Sequence, residues 1–100
     1  MLIYNITTKV EHAISNNWAQ WMKNDHIPAI MQTRKFVRYY FSKLIDVDET
    51  DGLTYSVQFF ANIKKDYDQY IQQHSAQLRK EAIDKWGANF ISFRSLMEEV

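Results

Sequence analysis

The most constraining feature of this sequence is a hydrophobic period that changes four times along the chain. Four stretches alternate apolar and polar side chains, namely residues 2–10, 35–45, 53–61 and 89–97. This period of two is typical of strands with one buried face. In residues 12–33 and 63–86, apolar side chains instead recur every three or four positions, as they do along one side of a helix. The sequence therefore predicts the order β-α-β-β-α-β.

This order is that of the ferredoxin-like α+β fold, a four-stranded antiparallel sheet with two helices on one face. The chain has 100 residues, which suits a single domain over residues 1–100. An acidic stretch, 46–52, ends in the turn dipeptide Asp51-Gly52. It predicts a hairpin between the second and third strands.

The predicted first helix carries the sole proline of the chain, Pro28, two residues after His26. Proline has no backbone N–H, and its ring clashes with the preceding turn. We therefore expect the helix to kink or restart at Pro28, which leaves the Asn24 carbonyl without its usual partner. Trp18 and Trp21 lie on the apolar stripe of this helix, where they either anchor it to the sheet or stack on a planar ligand.

The predicted second helix is long for a domain of this size, so a bend is expected near residues 74–76. Asn62 is expected to cap the start of this helix. Gly87 is expected to end it by adopting the left-handed helical backbone conformation.

Strand parity divides the sheet into two faces. The side expected to meet the helices carries Tyr4, Ile6, Val37, Tyr39, Phe41, Tyr55, Val57, Phe59, Ile91 and Phe93. The other side is expected to combine polar groups with aromatic rings: Asn5, Thr7, Arg38, Tyr40, Ser42, Ser56, Gln58, Phe60, Phe90, Ser92 and Arg94. A solvated face rarely carries several large aromatics. The mixture predicts a chamber that a second sheet closes.

Composition excludes several classes of function. Twelve basic and twelve acidic residues give a net charge of zero, which argues against a nucleic-acid partner. Cysteine is absent, so disulfides and thiol nucleophiles are excluded. No apolar run approaches the ~18 residues of a membrane span, and no signal peptide is evident. We expect a cytoplasmic protein without a metal site or cofactor, because the three histidines lack metal-ligand spacing.

Motifs along nearly the whole chain resemble a family of uncharacterised bacterial proteins of this length. They are Ile3-Tyr-Asn5, Trp21, His26-Ile-Pro28, Asp46-Val-Asp48, Tyr55, Gln58-Phe-Phe60, Tyr67, Tyr70, Lys85-Trp-Gly87, Phe90 and Phe93. That family looks like a branch of the dimeric α+β barrel superfamily, which also contains cofactor-independent monooxygenases, haem-degrading enzymes and EthD-like proteins. The resemblance implies a homodimer formed through the sheet face. It does not fix an activity.

His26 is the candidate catalytic residue. At the mouth of the chamber it would act as a general base or acid, with Asp25 or a backbone carbonyl to orient it. The alternative is structural, since the histidine would then satisfy carbonyls freed by Pro28.

The candidate ligand-binding residues are Asn5, Arg38, Tyr40, Gln58 and Arg94. The two guanidinium groups suit a carboxylate or a phosphate, which they bind through paired hydrogen bonds. Alternatively, the arginines form interfacial ion pairs or lie on a solvated face, and Tyr40 contacts the second subunit.

Two hypotheses about function remain open. In the first, a homodimer binds a small, partly apolar anion and supports proton transfer or cofactor-free oxidation. In the second, the protein is a non-catalytic dimeric interaction module whose sheet face is simply its interface.

Overall fold

One antiparallel sheet is built from the strands β1 (Leu2–Val10), β2 (Arg38–Lys43), β3 (Leu53–Ala61) and β4 (Phe90–Glu98). The computed structural model describes residues 1–100 and gives the strand order β2-β3-β1-β4. This topology confirms the ferredoxin-like prediction. The hairpin between β2 and β3 is also confirmed, since the two strands pair antiparallel.

Two helices pack on one side of the sheet, and each is interrupted by a π-helical turn. The first helix follows a short 3-10 turn (His12–Ile14) and comprises α1 (Ser15–Trp21), a π turn (Met22–His26) and α2 (Ile27–Met31). The second helix comprises α3 (Lys64–Tyr70), a π turn (Ile71–Ser75) and α4 (Ala76–Trp86).

The first helix does not end at Pro28. The backbone stays helical from Ser15 to Met31, and Pro28 lies in the first turn of α2. In the π turn before it, the Ile27 N–H donates to the Met22 carbonyl, five residues earlier. A wider turn gives the proline ring room that a regular α-helical turn lacks, so the helix continues.

The second helix also differs in detail from its prediction. A π turn, Ile71–Ser75, lies close to the expected bend at residues 74–76. The residue before the helix is Ile63, and no side chain caps it, so the predicted capping role of Asn62 was wrong. Gly87 follows α4 with φ +60° and ψ −132°, so it has a positive φ, as predicted, but not the left-handed helical conformation.

The core lies between the helices and the inner face of the sheet, which we define as the face toward the helices. Tyr4 on β1 lies opposite Phe59 on β3, and both side chains are buried. The largest fully buried side chains are Phe59, Ile27, Ile30 and Val10. The predicted inner faces of β1 and β3 are therefore confirmed.

β2 is shorter than the predicted 35–45, because the chain turns toward the helices before it. Phe36 is buried, and its ring lies 5.2 Å from that of Phe59 and 5.0 Å from that of Tyr70. Strand alternation over 35–45 would place Phe36 on the outer face, with Arg38 and Tyr40. Val37, predicted on the inner face, is half exposed. Parity fails here because both residues precede the regular strand at Arg38.

The face prediction for β4 was wrong. Residues directly opposite one another in neighbouring strands point to the same side of the sheet. Arg94 lies opposite Ile6, and Ser92 opposite Thr8, so both are on the inner face. Phe93 lies opposite Thr7, and it is 64% exposed on the outer face. Both faces of β4 carry large apolar side chains, so the alternation of residues along the strand did not show which face meets the helices.

Candidate ligand-binding site

A cavity of about 370 Å³ lies between the helices and the inner face of the sheet. This volume is at the lower end of the range of small-molecule sites, about 300–1,000 Å³. The cavity lies within one protomer, whereas the predicted chamber was on the outer face. The second helix covers β1 and β4 only in part, since Ile83 lines the cavity yet is more than half exposed.

Most of the cavity wall is apolar. The lining side chains of this kind are Ile6, Trp18, Trp21, Met22, Ile30, Val57, Phe59, Leu78, Ala82, Ile83, Phe90 and Ile91. Four of them are aromatic. Such a wall suits a ligand with an apolar body.

Two arginines and a tyrosine form one polar group in the wall. Arg94 Nε donates a hydrogen bond to the Tyr4 hydroxyl oxygen at 3.0 Å, and Arg79 Nη2 reaches the same oxygen at 3.4 Å. Tyr4 is buried beneath them, while both arginines reach solvent. Neither arginine takes part in any ion pair of the structure. Two positive charges therefore meet at the cavity without a carboxylate.

A hydroxyl pair and a second buried phenol lie in the same wall. Thr8 Oγ1 and Ser92 Oγ are 2.9 Å apart and satisfy each other, on neighbouring strands. Burial raises the pKa of Tyr70, so its hydroxyl stays protonated at neutral pH.

His26 contributes an unpaired nitrogen to the site. It ends the π turn of the first helix, and its ring stacks on Trp21 with centroids 4.5 Å apart and planes 22° from parallel. Its Nδ1 is buried and has no hydrogen-bond partner. Burial lowers the pKa of His26 to about 4, against the opposing effect of the Glu81 carboxylate. The imidazole is therefore neutral at pH 7.

The indole of Trp86 presents the other buried polar atom without a partner, Nε1. Its ring meets that of Trp21 edge to face, with centroids 5.9 Å apart. Trp21 thus lies between two rings, and each of them carries an unsatisfied nitrogen. Buried polar groups are normally hydrogen-bonded. Of these two residues only His26 lines the cavity, so only its nitrogen belongs to the candidate site.

The predicted site residues divide into two groups. His26 and Arg94 line the cavity. Asn5, Gln58 and Tyr40 lie opposite one another in a row across the outer face. Arg38 is on the same face, and the sheet separates this group from the cavity.

Contacts within the outer face account for most of its polar groups. Asn5 accepts a hydrogen bond from Ser56 at 2.7 Å and donates one to Thr7 at 3.1 Å. The Arg38 guanidinium lies 4.2 Å from the centroid of the Phe60 ring, and its Nη2 lies 3.8 Å from a Glu99 carboxylate oxygen. The ligand-binding role of the outer-face residues stays a prediction.

Three cavity groups were missed from the sequence: Tyr4, Arg79 and the Thr8–Ser92 pair. Tyr4 was assigned to the apolar face for its ring, and its hydroxyl was overlooked. Arg79 directly follows Leu78, which lies on the apolar stripe of the second helix. An arginine beside an apolar stripe lies at the edge of the buried face, and this signal was available in the sequence.

Comparison with protein families shows which family this chain belongs to. One family profile matches residues 1–100. The chain belongs to DUF4286, a domain of unknown function. A comparison with curated proteins finds no match.

Solved structures resemble this DUF4286 domain in fold at low sequence identity. An ethyl tert-butyl ether D (EthD) family protein from Bacillus halodurans superposes with a TM-score of 0.74 at 11% identity, over 100% of both chains. SnoaB, a cofactor-independent oxygenase from Streptomyces nogalater, gives 0.67 at 13% identity, over 98% of this chain and 91% of SnoaB. A dimeric ferredoxin-like protein from an uncultured marine organism gives 0.61 at 15%, over 100% and 95%.

These likenesses show the ferredoxin-like fold that dimeric α+β barrels share, and activity does not follow from fold. In this DUF4286 domain, no cluster of three or more His, Cys, Asp or Glu side chains has the arrangement of a metal site. None of its helices combines the length and the apolar character needed to cross a bilayer.

Proposed function

We propose that this DUF4286 domain binds a small, partly apolar molecule in the cavity between its helices and its sheet, and that His26 accepts a proton from it. One observation carries the proposal. A cavity of about 370 Å³ is lined by His26, whose buried Nδ1 has no partner within the protein. An orphaned polar atom on a residue beside a space of ligand size is the group that a ligand atom would satisfy.

His26 is in the unprotonated form that a base requires, although the burial that keeps it neutral also makes the imidazole a weaker base than an ordinary histidine. Because its pKa is lowered to about 4, the ring is neutral at physiological pH. In the tautomer with hydrogen on Nε2, the Nδ1 lone pair is free to accept a proton from an acidic O–H or C–H of the ligand. The apolar wall lowers the local dielectric constant on the side of the cavity away from solvent, which strengthens electrostatic interactions around the anion that forms.

Cofactor-independent oxygenation is the reaction type that we favour. In such a reaction the deprotonated substrate itself supplies the electrons that reduce dioxygen, so the protein needs only to bind, deprotonate and shield it. The likeness in fold to SnoaB, a cofactor-independent oxygenase, supports this choice. The residues in this cavity would perform the binding and deprotonation steps.

We further propose that the outer face of the sheet binds a second copy of the chain. Phe93, Ile91 and Tyr40 are each more than half exposed on that face. A similarly folded protein is described as dimeric. A stable interface should bury at least about 1,000 Å². The same exposed side chains favour the second candidate function, a non-catalytic dimeric interaction module.

A thermal-shift screen with phenols and aromatic carboxylates separates the two functions. A ligand at ten times its Kd adds about 1.4 kcal/mol to stability, which raises the Tm of a domain this size by several degrees. Ala82→Phe fills the cavity and should abolish the shift. Ala76→Phe, at an exposed position on the same helix outside the cavity, should retain it.

The proposal that His26 acts as a base is tested with any compound that binds. Oxygen consumption should fall at least about 100-fold in His26→Gln, since general-base catalysis contributes about 10²–10⁴-fold, while the compound still raises the Tm. If no compound shifts the Tm of the natural protein, the interaction module is the better account. If His26→Gln consumes oxygen at the natural rate, His26 is not the base.

A further inference from the structure

We propose that the molecule bound in this cavity is a monocarboxylate with a planar apolar body, and that Arg79 and Arg94 hold its carboxylate. This inference rests on the proposed function of the cavity and names the class of its ligand. The Tyr4 hydroxyl is the third member of the group.

The arrangement of donors is the first argument. Arg94 and Arg79 both donate to the Tyr4 hydroxyl oxygen, at 3.0 and 3.4 Å. Each guanidinium has further N–H donors, and the tyrosine oxygen, as an acceptor of two hydrogen bonds, has its own hydrogen left to donate. Guanidinium groups match the two oxygens of a carboxylate in spacing. The three side chains thus converge donors on one position at the cavity.

The charge balance is the second argument. Two guanidinium groups within hydrogen-bond reach of one oxygen repel each other, and such pairs normally include an acidic residue. Neither Arg79 nor Arg94 forms an ion pair with a carboxylate of this chain. An anionic ligand supplies the missing negative charge.

The wall limits the rest of the ligand. Trp18, Trp21, Phe59 and Phe90 line the cavity with flat surfaces, and these favour a planar apolar body. His26 is neutral at physiological pH, and no other cation lines the cavity. A negative group elsewhere on the ligand, away from the two arginines, would therefore be buried without a partner, which is costly. For this reason we infer a single anionic group, held at the arginines, on an otherwise uncharged body.

The two arginines come from different layers of the fold. Arg79 lies on α4, and Arg94 lies on the edge strand β4. A carboxylate held by both would join the helix to the edge of the sheet beside the cavity. Binding should therefore protect backbone amides around both Arg79 and Arg94 from hydrogen exchange.

The test compares two probes of equal shape, 2-naphthoate and 2-naphthamide, by isothermal titration calorimetry. The natural protein should bind the carboxylate at least about tenfold more tightly than the amide, as expected for charged hydrogen bonds. Arg79→Gln and Arg94→Gln should each reduce that preference, and the double variant should remove it. Arg34→Gln, at an exposed arginine outside the cavity, should leave it unchanged.

Each outcome decides something different. If both probes bind equally and Ala82→Phe excludes both, the cavity binds small molecules but the carboxylate inference is wrong. The inference is also wrong if the preference survives in the double variant. If neither probe binds and no other aromatic compound raises the Tm, the proposed function itself fails. A preference that is lost in the double variant, while its own Tm stays natural, supports the inference.

Discussion

The imidazole of His26 lies against the indole of Trp21, with ring centroids 4.5 Å apart and planes 22° from parallel. Trp21 in turn meets Trp86 edge to face. This stack covers one face of the imidazole and keeps water from it, and burial is the largest cause of the lowered pKa of His26. The same contact therefore fixes the ring at the cavity and keeps it uncharged.

Stability should fall in mild acid because of His26. The folded-state pKa, about 4, is below the ordinary value of 6.5. Above pH 6.5 both the folded and the unfolded states are neutral at this residue, so nothing is lost. Between pH 6.5 and 4 only the unfolded state binds the proton, and the free energy of unfolding falls by up to about 3 kcal/mol. Below pH 4 the loss levels off.

Urea unfolding between pH 7 and pH 4 measures this loss. Carboxylates also titrate there, so His26→Gln provides the reference: its stability should fall less than that of the natural protein. Equal losses in the two proteins would contradict the lowered pKa.

Trp21→Leu should raise the pKa of His26 toward 6.5, because it opens the stacked face of the ring to water. An NMR titration of the imidazole protons reports the value directly. Trp86→Leu is the matched control, since Trp86 contacts Trp21 rather than His26 and should leave the pKa closer to 4. If the pKa of His26 stays near 4 in Trp21→Leu, groups other than Trp21 bury the imidazole.

The sequence predicts the order and type of the elements because burial imposes a period of two or of 3.6 on each of them. β1 shows why this worked: Tyr4, Ile6 and Val10 are all on the inner face, and the opposite parity is mainly polar. The family resemblance was confirmed independently, by the DUF4286 match over residues 1–100.

The candidate site was predicted only in part, because β4 is an edge strand with apolar side chains on both parities. Phe90 and Leu96 share one face, and Ile91 and Phe93 share the other. The register with β1 decides between them, and a register cannot be derived from the strand alone. As a result Arg94 was expected beside Arg38, whereas it lies across the sheet from it, next to Tyr4.

Pro28 illustrates a different limit. The expectation that the helix kinks or restarts at Pro28 assumes regular α-helical geometry on both sides of it, whereas the new α-helical segment begins at Ile27 after a π turn. A π turn over Met22–His26 relieves the clash, and it also places His26 at the cavity. π turns inside helices occur frequently at functional sites, but they leave no residue pattern that periodicity detects.

The two glycines should respond differently to alanine. At Gly52 an added Cβ would overlap the carbonyl oxygen of Val10, which is fixed backbone, so the hairpin must shift. At Gly87 nothing lies near an added Cβ, and only the backbone conformation, φ +60° with ψ −132°, opposes the substitution. We expect Gly52→Ala to cost about 3 kcal/mol and Gly87→Ala about 2 kcal/mol. Denaturant unfolding gives both values, and a reversed order would contradict the close approach at Val10.

The proposed dimer should be lost when a charge enters the outer face. Phe93 is 64% exposed in the protomer and lies opposite Thr7. In Phe93→Glu the new carboxylate would be buried between two sheets without a partner, at a cost of several kcal/mol. Light scattering should therefore give twice the 12.0 kDa chain mass for the natural protein and 12.0 kDa for the variant.

Ile83→Glu provides the matched control for the dimer. Ile83 is 58% exposed, similar to Phe93, but it lies on α4 on the helix side of the sheet. This variant should remain dimeric if the outer face is the interface. A monomeric Ile83→Glu with a dimeric Phe93→Glu would move the interface to the helix layer. In that arrangement the second copy would cover the open side of the cavity, because Ile83 lines it.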